Sequence, residues 1–457
     1  MISLTINGKP RTLDGELPVP ELLRVLEIDA RLVAVAVNGE VVRKKLHATT
    51  TVHDGDVVEI VRMVGGGARG SKLEGRSSRP QARHAKPSGG DVVVIGGGLV
   101  GCAVAYELAR RGARCLLLDS RRAGMAATNA AAGILAPLAE FQRPGALVRF
   151  GLEGLRRYPE WAARLREEVP GIDVEMDIGG VLRVAFDEHD MKELRAGLRY
   201  RTQLGVELIE LDEALVHEVE PRLSERVIGG VLCPDEGHVS NQLFTLAVSR
   251  AAKQLGTRII EGAPVTGFGH EGARVTSVRT PRGAFACDHV VLAAGAWSGA
   301  IAKKLRAEVP VFPVRGQMLA LGRMVTPVHT VVWGPRGYLV PRANGLVFAG
   351  ATVEDVGFRI RTTQRGLAQV RRGAFELVPQ LRHAREHFSW AGLRPGSPDG
   401  LPILGPLPGW DNVTLATGHY RNGILLGPIT GELIAQSIVE GRVPKQLAPF
   451  TPKRFVR

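Results

Sequence analysis

One stretch of this chain restricts its fold more than any other. Residues 91–119 read DVVVIGGGLVGCAVAYELARRGARCLLLD. The segment DVVVI (91–95) carries an unbroken apolar run, the pattern of a strand buried on both faces. Gly96, Gly98 and Gly101 then follow at G-x-G-x-x-G spacing, CAVAYELARRG continues as a helix, and LLLD (116–119) closes a βαβ unit with Asp119 at its strand end. Each part has a separate physical task. Gly96 permits a tight turn, Gly98 lets backbone approach a pyrophosphate, and Gly101 allows the helix to pack closely on the strand. The first turn of the helix offers N–H groups to phosphate oxygens, and Asp119 can accept hydrogen bonds from a ribose. A lone G-x-G-x-x-G is compatible with a plain glycine turn; strand, glycines, helix and terminal acid in sequence point to nucleotide binding. The unit leaves FAD and NAD open.

Later segments complete such a site. VVLAAGAWS (290–298) reads as a buried strand ending in Ala-Ala-Gly, where backbone at Gly295 can come close to a cofactor. APVTGF (263–268) reads as a strand after the amphipathic helix NQLFTLAVSRAAKQLG (241–256). WAGLRPGSPDGLPILGP (390–406) and TGHYRNGILLGPITGELIAQSIVEG (417–441) return to glycine-rich loops and a terminal helix. The expectation is a Rossmann-type domain assembled from about 91–175, 240–300 and 385–445. An antiparallel-sheet substrate domain is interleaved with it at about 176–239 and 301–384.

The N-terminal region is a separate α/β unit. ISLTI (2–6) alternates before Asn7-Gly8, PELLRVLEI (20–28) has helical spacing with Pro20 suited to a first turn, and VAVAV (33–37) meets a second Asn-Gly at 38–39. VVEIVRMV (57–64) follows the turn Asp54-Gly55-Asp56, and the order ββαβ…β is that of a β-grasp, or ubiquitin-like, domain over 1–67 ending in Gly65-Gly66-Gly67. Residues 68–90, ARGSKLEGRSSRPQARHAKPSGG, have almost no apolar content and read as a basic flexible linker. The nucleotide-binding region then runs from 91 to 457. The fold class is thus mixed α/β and α+β.

Charge and cysteine usage exclude several functions. The formal net charge is +13 over 457 residues, but residues 65–90 and 442–457 carry +5 each and the body 91–441 only +4. With no aromatic–basic platform beside it, this excess does not describe a nucleic-acid surface. Cys102, Cys115, Cys233 and Cys287 form no CxxC, so a zinc or other metal site is not expected, and isolated cysteines fit a reducing compartment. No signal-like N-terminus and no apolar run of about 18 residues is present, so the reading is a cytoplasmic chain with no membrane contact.

The motifs VIGGGLVG, ATNAAAGIL, YLVPRANGLVFAGAT, WAGLRPGSPDG and GHYRNGILLGPITG resemble the glycine oxidase branch of the D-amino-acid-oxidase-like FAD enzymes, across residues 91–450. Residues 1–67, with DGDVVEIVRMVGGG, look like the ubiquitin-like sulfur carrier of thiamine biosynthesis. The resemblance implies FAD as cofactor. Adenosine and pyrophosphate contacts would fall on Leu99, Val100, Asp119, Ser120, Ala127 and Thr128. The flavin would lie along Ala132, Gly133, Ile134 and Val265 and the loop His419, Tyr420, Arg421, Asn422, Gly423, Ile424 and Leu425. The substrate carboxylate would meet Arg394 and Arg421 with help from Tyr338. A guanidinium fork suits this task because it binds a carboxylate bidentately and stays charged. A helix starting after Asn422-Gly423 would aim its positive end at the flavin.

The implied activity is oxidative deamination of glycine, with molecular oxygen, to glyoxylate, ammonia and hydrogen peroxide, through an imine used for the thiazole of thiamine. No side chain is expected to act as acid or base. His419 is expected to pack against the flavin, Trp297 and Trp390 to be core or wall residues and not substrate contacts, and the cysteines to be buried and inert. Sarcosine or broader D-amino-acid oxidation is the enzymatic alternative; a carrier or interaction module with a vestigial oxidase is the alternative of another class. The resemblance further implies thiazole synthase, the carrier-activating enzyme and a second copy of the chain as partners. Three departures are visible: Ile134 and Val353 stand where relatives have pocket methionines, and Asp119 where a Glu is common. Carriers of this kind act through a free C-terminal glycine carboxylate. Here the chain continues past Gly67, so either it is cut there or the domain is a docking module.

Overall fold

In the computed structural model the described residues are 2–6, 9–26, 28, 33–38, 40–42, 47, 50–62, 91–140, 145–202, 204–322 and 328–456. Gly66, Gly67 and the expected linker 68–90 lie outside them. The chain divides into two compact units, residues 1–86 with 169–173 and residues 87–168 with 174–457.

The N-terminal sheet has the spatial order Lys9–Leu13, Ile2–Ile6, Val57–Arg62, Val33–Val37, Glu40–Val42. Its first and last long strands, Ile2–Ile6 and Val57–Arg62, run parallel at the centre, and the other pairs are antiparallel. Alternation in ISLTI puts Ile2, Leu4 and Ile6 on one face, where they meet Val19, Leu22 and Leu23 of the helix Val19–Val25. This is the expected β-grasp. The helix stops at a C-cap on Leu26, two residues short of the expected end.

Residues 91–457 build two large sheets. The six-stranded sheet is ordered Arg258–Ile260, Cys115–Leu118, Val92–Ile95, His289–Leu292, Val413–Thr417, Ile403–Pro406. Its first five strands are mutually parallel and the last is antiparallel. Val92–Ile95 sits inside this sheet with every residue buried, which is why its sequence does not alternate. The helices Leu99–Arg110 and Gly427–Glu440 pack so closely that a β-carbon at Gly431 would stand 2.7 Å from the carbonyl carbon of Ala103.

The eight-stranded sheet is ordered Ile209–Asp212, Gly229–Cys233, Val181–Ala185, Val331–Gly334, Gly337–Pro341, Val347–Gly350, Phe312–Leu321, Glu386–Gly396. Only Val181–Ala185 with Val331–Gly334 is parallel. The helix Gln364–Leu377 is capped by the Thr363 hydroxyl and covers one face through Leu367, Val370, Ala374 and Leu377, packing Val370, Ala374 and Leu377 on Leu319, Leu339 and Ala349. Strand alternation then sends Met318, Tyr338 and Val340 to the opposite face, against Ala132 and Ala136. The strand Glu386–Gly396 pairs with Phe312–Leu321 along nearly its whole length. It therefore belongs to this sheet, although the expected boundary placed 385–396 with the nucleotide part.

Candidate cofactor and substrate site

A single cavity runs from the carboxyl ends of the parallel strands to the inward face of the eight-stranded sheet. At its first end stand the spaced glycines. Gly96 has φ +111°, and a β-carbon there would fall 2.4 Å from the Ala293 carbonyl oxygen. Gly101 does not line the cavity; a β-carbon there would stand 1.8 Å from the Gly96 oxygen, so its task is contact between helix and strand. Gly98, the N-cap of the helix Leu99–Arg110, supplies no side-chain cap, and an added β-carbon would meet only the Thr128 hydroxyl, at 3.2 Å. Backbone at Gly98 is therefore open to a phosphate. Thr128 Oγ1 in turn accepts from the Leu99 N–H at 3.0 Å. The Asp119 carboxylate accepts from the N–H groups of Gly97 (2.6 Å) and Arg121 (2.7 Å). It thus ties the glycine loop to the strand end, while burial raises its pKa above the ordinary aspartate value. Arg121 stacks on Trp297, 4.8 Å from the ring centre, and both line this end.

The other end is an arginine site. Arg394, on Glu386–Gly396, donates to the Thr352 carbonyl at 3.0 Å. Its guanidinium occupies the space over Gly316 on the neighbouring strand, where an added β-carbon would overlap it. Burial pulls the Arg394 pKa down, Tyr338 opposes this and Arg421 adds to it. Arg421 Nε is 2.6 Å from Glu140 Oε1, and its guanidinium lies 5.4 Å from the Trp333 ring centre. Trp333 in turn packs against Tyr338 with ring centres 5.2 Å apart. Burial lowers the Arg421 pKa, but Glu140, Tyr338 and Tyr420 outweigh it and hold the value above the ordinary one.

The expected site residues converge. Gly96, Gly98, Leu99, Val100, Asp119, Ser120, Ala127, Thr128, Ala132, Gly133, Ile134, Val265, Gly295, Tyr338, Arg394 and the whole run His419 to Leu425 line the one cavity. Four details differ from expectation. Residues 263–266 are not strand; the strand starts at Gly267, because the Ala263 N–H is taken by Asp119 and Pro264 has no N–H to give to a ladder. The terminal helix begins at Gly427 rather than just after Gly423, since the N–H groups of Leu426 and Gly427 first close a turn on Asn422 and Ile424. Val353 is 54% exposed and does not line the cavity: Glu354 pairs back to Arg315, so Thr352 and Glu354 turn to Gln317 and Arg315 and Val353 turns outward. The fourth is Glu140, which sequence reasoning passed over. Its one signal is a lone charge after the apolar run GILAPLA; its partner lies far along the chain.

His419 is buried, shares a 3.1 Å hydrogen bond with the Thr430 hydroxyl, and burial pushes its pKa down to about 3. A group that neutral is a wall and a hydrogen-bonding partner. Trp390 donates from Nε1 to the Ala130 carbonyl at 3.1 Å and packs against Phe348 and Phe388; it does not line the cavity. All four cysteines are buried and free; burial raises the Cys102 thiol to about 12, so the thiolate form is not available at neutral pH. Among the described residues no His, Cys, Asp and Glu group could hold a metal ion, and no helix is long and apolar enough to cross a membrane.

The open glycine backbone, uncapped helix N-terminus and strand-end carboxylate fit a dinucleotide of the FAD type. Comparison with known proteins agrees. The family model described as FAD dependent oxidoreductase matches residues 91–437, and that of the ThiS family matches residues 4–67. The chain is 39% identical over 374 residues to the bifunctional protein ThiO/ThiG of Synechocystis sp., covering 80% of this chain and 54% of that protein. It thus spans about half the length of this bifunctional relative. It is 33% identical to a glycine oxidase of Bacillus licheniformis, covering 76% of this chain and 93% of that one. The crystal structure of glycine oxidase from Geobacillus kaustophilus superposes with TM-score 0.76 at 32% identity, covering 79% of this chain and 98% of the other.

Proposed function

Because the chain belongs to the FAD dependent oxidoreductase family and carries a ThiS-family domain at its N-terminus, we propose that it oxidises glycine in the thiazole branch of thiamine synthesis. Glycine, with its amine neutral, would lose its Cα hydrogen with two electrons and one N–H proton to leave an imine, which water hydrolyses to glyoxylate and ammonia; the two electrons and two protons reduce oxygen to hydrogen peroxide. FAD, when bound, supplies the two-electron acceptor chemistry of that oxidation.

The observation that carries this reading is the arginine site at the far end of the nucleotide cavity. Arg394 is held by the Thr352 carbonyl in space that Gly316 leaves open, so its remaining donors are pre-oriented for a carboxylate. Tyr338 is buried beside Met318, its hydroxyl 3.8 Å from the sulfur, and lines the same cavity. Fixing the carboxylate at one end of a small amino acid leaves its Cα a single position, which is the main contribution that positioning makes. Neutral His419 adds no charge against the amine. Apolar Ala132, Ile134 and Met318 line the wall and keep water from the reacting carbon.

Hydrogen peroxide release across glycine, sarcosine, D-alanine and D-proline tests the assignment. Glycine turned over with a kcat/KM at or above the other three supports it; a clear preference for sarcosine or D-proline moves the assignment to the broader amine oxidases. The same reading makes thiazole synthase and the carrier-activating enzyme partners, and a second copy of the chain a third. Cleavage after Gly67, which would free the carrier carboxylate, is tested by intact mass of the chain from its native host. An uncut chain that still supports thiazole synthesis overturns it.

A further inference from the structure

The arginine end of the cavity holds more positive charge than one carboxylate needs. Arg394 and Arg421 both line it, and the charge of Arg421 adds to burial in lowering the Arg394 pKa. Among the described residues lining the cavity the only acids are Asp119, at the nucleotide end, and Glu140. Glu140 is the last residue of the short helix Pro137–Glu140, and its oxygen meets Arg421 Nε at 2.6 Å. The pair is mostly enclosed, with 22% and 16% of the two side chains exposed, so solvent screens it weakly. Trp333 flanks the Arg421 guanidinium at 5.4 Å from its ring centre and limits where that side chain can turn. The formal charge of Arg394, Arg421 and Glu140 together is +1. An amino acid ready for oxidation, with a neutral amine and one carboxylate, carries −1. The two match.

We infer that Glu140 sets the charge selectivity of the site. Paired to Arg421, it leaves Arg394 as the one uncompensated cation and so admits amino acids with a single carboxylate while rejecting those with a second. A dianionic substrate must either displace Glu140 from Arg421 or stand beside its like charge, and both oppose binding. Without the Glu140 charge, Arg421 becomes a second carboxylate receptor. Glu140 acts through Arg421, so it is a positioning residue and takes no proton in the reaction. The inference rests on the reading of this cavity as an amino-acid site.

The test compares wild-type holoenzyme with Glu140→Gln in two measurements. One is calorimetric affinity for acetate and for malonate, which are not oxidised; the other is kcat/KM for glycine and for D-aspartate. Glu140→Gln is expected to raise the malonate-to-acetate affinity ratio by about 10-fold, and the D-aspartate-to-glycine ratio likewise, tenfold being 1.4 kcal/mol. Glu140→Asp, which keeps the charge, should hold the wild-type ratios. Arg421→Gln, which leaves Glu140 facing the cavity without its partner, should lower the malonate-to-acetate ratio below wild type. Ratios in Glu140→Gln within about twofold of wild type, a factor under 0.5 kcal/mol, overturn the inference, as does Glu140→Asp behaving like Glu140→Gln. If wild type fails to oxidise glycine while the malonate ratio still moves, the proposed reaction falls and the charge selectivity stands. The binding arm separates the two failures.

Discussion

At the glycine end of the cavity most working residues are near neighbours in sequence, from Gly96 to Thr128, joined by 293–297 from the next strand, and apart from Arg121 on Trp297 the contacts involve backbone. At the arginine end they come from four distant segments, Glu140, Trp333 with Tyr338, Arg394 and Arg421, and every contact is made by a side chain. The difference decides how each end fails. Backbone packed at 1.8 Å from a hypothetical β-carbon has no way to yield, so damage at the glycine end is damage to the fold and to cofactor retention. A guanidinium can be removed while its strands remain paired, so damage at the arginine end should appear in substrate kinetics with cofactor still bound.

Gly101→Val attacks the first end and should have the largest effect. A branched side chain cannot be placed between the helix Leu99–Arg110 and the Gly96 carbonyl without moving one of them, at a cost of about 3 kcal/mol or more. Purified Gly101→Val protein should lack the flavin absorption of wild type and unfold at lower denaturant. A variant with full flavin occupancy would remove the basis for the contrast. Arg394→Ala attacks the second end. Loss of one partner of an enclosed charge pair costs about 2–5 kcal/mol, so kcat/KM for glycine should fall on the order of 10²- to 10³-fold with flavin stoichiometry unchanged. Near-normal turnover, or loss of flavin, would show that the two ends are not separable in this way.

Acid provides the mildest probe, through His419, which belongs to the loop spanning both ends. Its folded pKa is depressed to about 3 from 6.5, so the unfolded chain takes up a proton that the folded chain refuses. Above pH 6.5 this residue adds no pH dependence. Between pH 6.5 and 3 stability falls as pH falls, by about 2 kcal/mol at pH 5 from this group. Denaturant midpoints measured at pH 7.5 and pH 5 should therefore differ less in His419→Asn than in wild type; an equal drop in both would place the acid sensitivity elsewhere, with His238 and His289, each lowered to about 4 chiefly by burial, as the next groups to replace.

Much of this site was legible beforehand because its signals are local. The spacing of Gly96, Gly98 and Gly101 and the unbroken run VVVI encode backbone conformations and burial that hold in any sequence context able to form a βαβ unit. Residues 263–266 misled because apolar composition alone does not reveal that the Ala263 N–H goes to Asp119 and that Pro264 has no N–H to donate. Val353 misled for a related reason: which residue of an extended stretch faces inward depends on a one-residue register, and the bridge between Arg315 and Glu354 decides it. The strand Glu386–Gly396 carries a glycine-rich motif suited to either sheet, and only its partner Phe312–Leu321 assigns it.

The sequence by itself determined the β-grasp order of residues 2–62, the nucleotide-binding βαβ unit and the presence of two arginines suited to a carboxylate. These follow from periodicity, turn chemistry and residue type, which act over a few neighbours. The tertiary structure decided that Arg421 meets Glu140, that Arg394 fills the space beside Gly316, and hence how much free positive charge the site presents. Coulomb interactions and close packing depend on distance in space. No pattern along the chain records that the carboxylate at 140 and the guanidinium at 421 end 2.6 Å apart.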